Sequence, residues 1–532
     1  MEKLARFIED ISSQNIGYHK PGDMLKDVSG MARNVPCIVY PKNKNEIQTI
    51  IQLANQYLVK IYPISCGKNW GFGSSLPIED NTVIVNLRDF NTIMDIDIIN
   101  GYATIAPGVT QEQLAKALAN TPYFVDVTGS SADSSIIGNA LERGIAYNSL
   151  RVENISNLEV MLPTGEVLNT GFSGLANKSA SNYPWGIGPS LDGLFFQSNL
   201  GIITQAKIKL FRRTKHAKSF FVALKDEKDL FIFIESLRPL LENKLINCIP
   251  HIFNDERLYP GFAPLLWRYY KNINKEKNRD EITLLLKKQF SGKWFATGHL
   301  RGTSEQIDLG VKYLKKITPP HSKLQFIGRQ EKYLFKLLKK LPFFHGLKAF
   351  IFATDELGDL TSGAPSNMTL PGINWVLPGN ESFLFDLDID QKGTGGFLYF
   401  TPMSNYTQSD ISLMLDTTIN VAQKFHLIPA ITLNAIKPDI MEGVISVSYN
   451  KHDHGAVENA HACIREMNRV MIGIGLLPYR NNIDMMDVVT FKKDYAQILI
   501  KLKHLFDPNN ILACGRYIPS EETHRISSEI AA

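Results

Sequence analysis

Along the first two hundred residues the hydrophobic positions switch between helical spacing and strict alternation, and each switch marks a helix or a strand. Ile47, Ile50, Ile51 and Ala54 recur at helical spacing, and Asn43 stands three residues before Glu46 as a capping residue would, so a helix is expected over 43–57. The short apolar run Ile61 to Ile64 follows, then a glycine-rich loop, then the strand-like Val83, Ile84, Val85 and Leu87. Thr110 and Gln113 open a second helix carrying Leu114, Ala117 and Leu118. Leu158 to Leu162 and Val167 flank Pro163-Thr164-Gly165-Glu166, which reads as a hairpin turn. Ala206, Ile208 and Leu210 alternate with Gln205, Lys207 and Lys209, one strand face dry and one wet. Together these describe an α+β lobe.

Beyond about residue 220 the texture changes. Helical, Lys-rich stretches such as Lys271 to Lys288 and Leu334 to Leu341 alternate with aromatic strands such as Phe397 to Phe400 and Val444 to Tyr449. A second lobe is expected there, with its lysines on outer helix faces. Tyr495, Ile498, Leu499, Leu502 and Leu505 give a last amphipathic helix, stopped by Asp507-Pro508-Asn509.

Composition narrows the classes. A chain of 532 residues, 44% hydrophobic and 21% charged, exceeds one compact core and is far from a disordered composition. Lys plus Arg, 57, against Asp plus Glu, 53, leaves a net charge of +4, too diffuse to advertise a nucleic-acid partner. The start mixes both charge signs without the apolar stretch of a secretory signal, and no run approaches the roughly 20 apolar residues of a membrane span, so a cytoplasmic protein that does not enter a membrane is expected. Cys37, Cys66, Cys248, Cys463 and Cys514 are scattered without a CxxC pair, which points to buried reduced thiols rather than a disulfide framework or a zinc site. His452-Asp453-His454 with His461 has the wrong spacing for a helical metal site and is expected in a solvent-exposed loop, so no metal is assigned.

Two small-residue segments carry the chemistry. Ser65-Cys66-Gly67-Lys68-Asn69-Trp70-Gly71-Phe72-Gly73-Ser74-Ser75 follows a strand, and its glycines let the backbone approach a ligand and turn N–H groups toward it, as a pyrophosphate requires. It is neither a Walker loop nor a GxGxxG fingerprint. Thr128 to Ser135 runs into Ile136-Ile137-Gly138-Asn139 and then Glu142-Arg143-Gly144, and its hydroxyl and N–H donors suit the polar edge of a flat heterocycle. Two such loops suit a dinucleotide.

These two segments, with NLRDFNTI, ATIAPGVTQEQL, LEVMLPTGEVLNTG and YPWGIGPSLDGLFFQSNLGIIT in order between Val35 and Phe211, resemble the FAD-linked oxidases of the vanillyl-alcohol oxidase and para-cresol methylhydroxylase (PCMH) type. Tyr479-Arg480 and Phe506 to Arg516 look like the closing segments of that family, with Cys514 where proline is usual. The resemblance implies an α+β fold in which a two-part FAD-binding domain carries an α+β cap built on an antiparallel sheet. Residues 1–220 would form the FAD-binding domain, 221–476 the substrate-covering cap and 477–532 a segment returning to the FAD-binding domain. It implies that Gly67, Lys68, Asn69, Gly71, Phe72, Gly73 and Ser74 meet the pyrophosphate. Pro107, Gly108, Val109, Gly129, Ser130, Ser131, Ile136, Gly138, Asn139, Glu142, Gly144, Ile203 and Arg516 would line the remainder of the cofactor.

The catalytic pair implied is Tyr479 with Arg480, which in the family bind the oxygen of a para-substituted phenol as phenolate; the guanidinium charge and a directed hydroxyl stabilise such an oxyanion. Electron release from that oxygen expels hydride from the benzylic carbon to flavin N5. Electrons then leave to oxygen or to a separate redox carrier, and a homodimer is compatible with the reading. Phe72 stands where a third phenolate-binding residue, a tyrosine, would be, and Ser130 falls where vanillyl-alcohol oxidase has an acidic residue, with Asp133 nearby. Many members tether FAD to a cap His or Tyr, and Tyr399 is the only side chain in Gly395 to Pro402 able to form that link. Two alternatives stay open: a 2-hydroxy acid or sugar-type alcohol oxidase or dehydrogenase with Arg480 as carboxylate clamp, and a flavin-carrying subunit that needs a redox partner.

Overall fold

The computed structural model describes residues 2–175, 182–328, 331, 333, 345–488 and 491–519. The expected first helix is Lys44–Tyr57, capped by the Asn43 side chain, which accepts from the N–H groups of Asn45 and Glu46. Its face of Ile47, Ile50, Ile51 and Ala54 is fully buried. It packs on a four-stranded sheet in the order Gly17–His19, Ile38–Tyr40, Val83–Asn86, Ile61–Ile64, of which the last three are parallel. A second, antiparallel sheet has the order Val167–Asn169, Ile155–Met161, Ile202–Lys209, Tyr102–Ile105, Ile93–Asp97. The expected hairpin joins its first two strands: Leu162 N–H donates to the Glu166 carbonyl at 2.9 Å, and Gly165 supplies a φ of +88°.

The second lobe is built on an eight-stranded antiparallel sheet. Its central hairpin, Ala430–Lys437 with Ile440–Asn450, explains how the lobe is layered. Ile431, Leu433, Ala435, Met441, Ile445 and Val447 point into a core shared with the helices Gln408–Lys424 and His454–Gly473. The alternate residues Ala430, Thr432, Asn434, Glu442, Val444, Ser446 and Ser448 face the other way, onto a cavity between this sheet and the two glycine- and serine-rich loops.

Several expectations change. Lys271 to Lys288 is not one helix: Asp255–Asn272 ends there, and a new helix, Arg279–Gln289, begins at a capping box formed by Asn278 and Glu281. Leu334 to Leu341 lies outside the described residues. Of the histidine cluster, His452 and Asp453 lie in an exposed turn as expected, but His454 opens a helix and His461 on that helix pairs with Asp484 at 2.8 Å, half-buried. Of the cysteines, Cys66 and Cys514 are only half-buried. Among the described residues no helix is long and apolar enough to cross a membrane.

The last helix, Lys493–Phe506, buries only part of its expected apolar stripe: Leu499 and Leu502 pack against the core, Tyr495, Ile498 and Leu505 are exposed, and Lys503 is buried. The reason is polar. The Lys503 ammonium donates to Asp507 Oδ2 (2.7 Å) and to the carbonyls of Asn199 (2.8 Å) and Leu512 (2.7 Å), and Asp507 also accepts from the N–H groups of Ile511 and Leu512. The segment so fixed adds to the edge of the first sheet, with Ile61 and Ile511–Ala513 exchanging backbone hydrogen bonds. Replacing Lys503 by Met strands the buried Asp507 carboxylate and is expected to lower the unfolding free energy by about 3–5 kcal/mol, read as a fall in the denaturant midpoint. An unchanged midpoint would show that the backbone donors alone suffice.

Candidate active site

The first loop leaves the strand Ile61–Ile64 and is held by its glycines. Gly67, Gly71 and Gly73 have φ of +69°, +75° and +110°, which L side chains rarely adopt. A Cβ at Gly71 would come within 2.8 Å of the Phe397 and Tyr399 rings, and one at Gly73 within 2.6 Å of Ile483. The loop is also pinned from the cap: Asp390 accepts from Ser74 Oγ (2.7 Å), Trp70 Nε1 (2.9 Å) and Val28 N–H (2.9 Å), and Tyr399 N–H donates to the Gly71 carbonyl. The second loop meets the first where Ser135 caps the helix Ile136–Leu141; a Cβ at Gly138 would lie 2.7 Å from Ser65 Oγ. Both loops open onto the same cavity, of about 620 Å³.

At one end of this cavity three charged groups share a small space. Glu142 accepts from Arg516 Nη2 (2.9 Å) and from the Tyr517 hydroxyl (2.5 Å), and lies 3.4 Å from Arg480 Nε. Burial opposes its ionisation, but Arg516 and Arg480 outweigh that and hold the carboxyl below its ordinary range. Arg480 also donates to Asn69 Oδ1 and lies over the Phe72 ring, 4.5 Å from its centroid. The trio of Arg480, Arg516 and Glu142 carries one net positive charge.

Beside it runs a row of polar side chains across three strands. The Tyr479 hydroxyl hydrogen-bonds to Glu442, the Asn434 amide donates to Glu442 Oε2 at 2.6 Å, and Asn434 Oδ1 meets His251 Nδ1 at 2.5 Å. Burial pushes Glu442 up to about 7 and His251 down to about 4. A neutral His251 facing a carbonyl oxygen carries its proton on Nδ1, which leaves Nε2 as an acceptor. Burial, reinforced by the neighbouring Glu442, raises the Tyr479 hydroxyl well above its usual range, so this tyrosine stays protonated.

The wall chemistry fits a flavin dinucleotide. Asn139 Oδ1, Arg480 Nε and His251 Nε2 are buried on wall residues without a hydrogen-bond partner, and the two loops present hydroxyl and backbone donors to the same space. The comparisons agree. Residues 35–171 match the family described as FAD binding domain. A 4-cresol dehydrogenase [hydroxylating] flavoprotein subunit from Pseudomonas putida is 27% identical over 525 residues, 95% of this chain and 91% of its own. A 1'-carboxy-chondrochloren decarboxylase from Chondromyces crocatus is 29% identical over 529 residues, 97% of this chain and 96% of its own. Among solved structures, a 4-ethylphenol oxidase from Gulosibacter chungangensis superposes with a TM-score of 0.80 at 21% identity over 98% of both chains. A p-cresol methylhydroxylase does so with 0.76 at 24% identity, over 97% of this chain and 96% of its own. Residues 35–171 thus form an FAD-binding domain, and over nearly its whole length the chain is similar to flavoproteins of the PCMH and vanillyl-alcohol oxidase type.

It is an FAD-dependent oxidoreductase of α+β fold. Of the residues that sequence reasoning named, the cavity wall includes Gly67, Lys68, Asn69, Phe72 and Ser74 from the first loop. Pro107, Gly129, Ser130, Gly138, Asn139, Glu142 and Gly144 line it from the second region, and Ile203, Tyr399, Tyr479, Arg480 and Arg516 complete the set. Gly71 and Gly73 lie behind the wall as packing contacts. Gly108 has no room for a Cβ beside the carbonyls of Leu87, Arg88 and Phe90, while Val109 and Ile136 are core. Ser131 and Asp133 are turned to Asn367, which Ser131 Oγ reaches at 2.8 Å and whose amide donates to Asp133 at 3.3 Å. Ser130 Oγ is shared with Thr128 and Ser134.

Sequence reasoning missed Glu442, Asn434 and His251. Alternation of polar and apolar residues over 430–434 and 442–448 was the available signal, but a wet strand face looks the same whether it meets solvent or a cavity. The Glu442 environment has a measurable consequence. Below about pH 4.5 the carboxyl is protonated in both folded and unfolded chains; above it only the unfolded chain ionises, until the folded group follows near 7. The stability of the native protein relative to Glu442→Gln is therefore expected to fall between pH 4.5 and 7, by about 3 kcal/mol, and to be flat above. Paired urea unfolding curves across that range check it; a parallel pair of curves would refute it.

Proposed function

We propose that this protein oxidises a para-substituted phenol, with hydride leaving the benzylic carbon, in an active site where residues 221–476 cap a cofactor lobe made of 1–220 and 477–532. The observation that carries this reading is the pairing of Tyr479 and Arg480 at a cavity end whose fixed charges sum to one positive, with a carboxyl near neutrality one hydrogen bond behind. FAD, when bound, supplies the hydride acceptor. Gly67, Lys68, Asn69, Gly138 and Asn139 would hold it, with Glu142 and Arg516 at its polar edge.

The chain's own residues deal with the proton and the charge. A free phenol loses its proton near pH 10. As the Tyr479 oxygen accepts the substrate proton, Tyr479 passes its own to the Glu442 carboxylate, and Arg480 stabilises the phenolate left behind. Asn434 holds Glu442 in place, and His251 holds Asn434. Phe72 gives the ring of the substrate an apolar neighbour in place of a hydroxyl donor. The p-cresol and 4-ethylphenol named for the relatives support this substrate class.

Loss of a carboxyl group is a second reading, favoured by the decarboxylase among the relatives. If the carbon next to the benzylic one bears a carboxylate, hydride removal leaves a quinone methide; the electron pair of the C–C bond to the carboxyl then forms a double bond to the benzylic carbon, and the exocyclic pair returns to the ring. Carbon dioxide departs and the phenol is restored with an alkene beside it.

Mixing the purified yellow protein with 4-ethylphenol without air is expected to bleach its absorbance, and Arg480→Gln to slow that step by at least about 100-fold. Readmission of air then tells oxygen from a separate carrier as electron acceptor. No bleaching by any para-substituted phenol would overturn the reading. We also propose that Tyr399 tethers the cofactor: acid precipitation is expected to leave the colour in the pellet of the native protein and release it from Tyr399→Phe. Colour in the native supernatant would exclude the tether.

A further inference from the structure

Besides Lys68, Arg480 and Arg516, the cavity has a cationic residue that neither the phenol chemistry nor the cofactor reading uses. Arg257 lies in the first turn of the helix Asp255–Asn272 and borders the cavity. Its Nη2 donates to the carbonyls of Ala430 (2.9 Å) and Val444 (3.2 Å), and its guanidinium carbon is 5.8 Å from the centre of the Tyr399 ring. Its Nε is buried without a partner, and among the described residues no carboxylate forms an ion pair with it. The adjacent Glu256 also borders the cavity but makes no ion pair with Arg257, and burial, then Asp255, raises its carboxyl. Two backbone carbonyls solvate a guanidinium but do not neutralise it, and an unpaired cation on a partly desolvated wall is costly.

Strand register places this charge relative to the phenol-binding end. Asn434 pairs with Glu442, Thr432 with Val444 and Ala430 with Ser446, in successive rows along the hairpin. Val444 and Ala430, which hold Arg257, thus lie two and four residues from the row that touches Tyr479, a separation on the order of 7–13 Å at ~3.3 Å per residue. Thr432 and Ser446 add hydroxyl groups to the wall between and beside them. The cavity thus has an oxyanion site at one end and, farther along the same sheet face, a guanidinium held by two carbonyls with no carboxylate ion pair among the described residues.

We propose that Arg257 binds a carboxylate at the end of the substrate's para side chain, so that the substrate class is a 4-hydroxyphenyl compound bearing a short acidic chain. A guanidinium meets a planar carboxylate through directed, charge-assisted hydrogen bonds, which an aliphatic or ester end cannot supply. This rests on the phenol reading above for the orientation of the substrate, though not for the existence of the carboxylate site.

The test compares 3-(4-hydroxyphenyl)propanoate, its methyl ester and 4-ethylphenol on the FAD-loaded enzyme, by kcat/KM and by the shift of the flavin spectrum on binding without turnover. The native protein is expected to prefer the propanoate over the ester by roughly 10- to 100-fold. Arg257→Gln is expected to abolish that ratio and Arg257→Lys to retain part of it. A clamp that only ties the helix to the sheet would lower all three compounds together and leave the ratio intact, which would overturn the proposal, as would equal affinity of the native protein for acid and ester. If no phenol is oxidised, the phenol reading fails by itself, and the acid-to-ester binding ratio in native and Arg257→Gln protein still decides the carboxylate site.

Discussion

Glu142 is a carboxylate that three segments distant in sequence have to agree on. It stands just past the helix that follows the second loop, and its oxygens are taken by Arg516 and Tyr517 from the C-terminal segment, with Arg480 at its other side. Without the two guanidinium groups burial would drive it neutral, and without Glu142 the two cations would repel each other across the cavity end. The arrangement is stable only when the C-terminal segment has returned to the first lobe. That return is secured separately, by Lys503 and Asp507 and by the backbone exchange between Ile61 and Ile511–Ala513. The site and the closure of the fold are therefore one electrostatic problem.

A second consequence concerns division of labour among acids. Glu142 is kept charged by cations, while Glu442, a few side chains away, is pushed up to about 7 by burial, which outweighs an amide, a tyrosine and the pull of Arg480. One supplies a fixed field and the other can exchange a proton at physiological pH. Separation of the two roles follows from their neighbours and not from their own chemistry.

The first lobe was legible because its signals are local. Asn43 with Glu46, Thr110 with Gln113, and Pro163 to Glu166 each announce a cap or turn within four residues, and the structure forms each of them. The glycine- and serine-rich loops were legible as ligand-approaching backbone, although Gly71 and Gly73 proved to be shaped by Tyr399, Phe397 and Ile483, contacts more than three hundred residues away that no local pattern reveals. The last helix misled for a related reason: Lys503 is buried because Asp507 and two carbonyls receive it, and apolar periodicity takes no account of such a partner. His251, Asn434 and Glu442 come together only through strand pairing, so their common row exists in the sheet and nowhere in the linear order.

The tight contacts of the first loop also say where this architecture can change over generations. A side chain larger than hydrogen collides at Gly71 with the Phe397 and Tyr399 rings of the cap and at Gly73 with Ile483 of the C-terminal segment, so drift there is forbidden. The hairpin 430–450 is built the other way: every second residue is committed to the core, Asn434 and Glu442 between them are tied to His251 and Tyr479, and Thr432, Val444, Ser446 and Ser448 border the interior space, where their side chains can be exchanged singly without disturbing the ladder. New selectivity in descendants of this protein should accumulate on that ribbon, while the loop stays frozen.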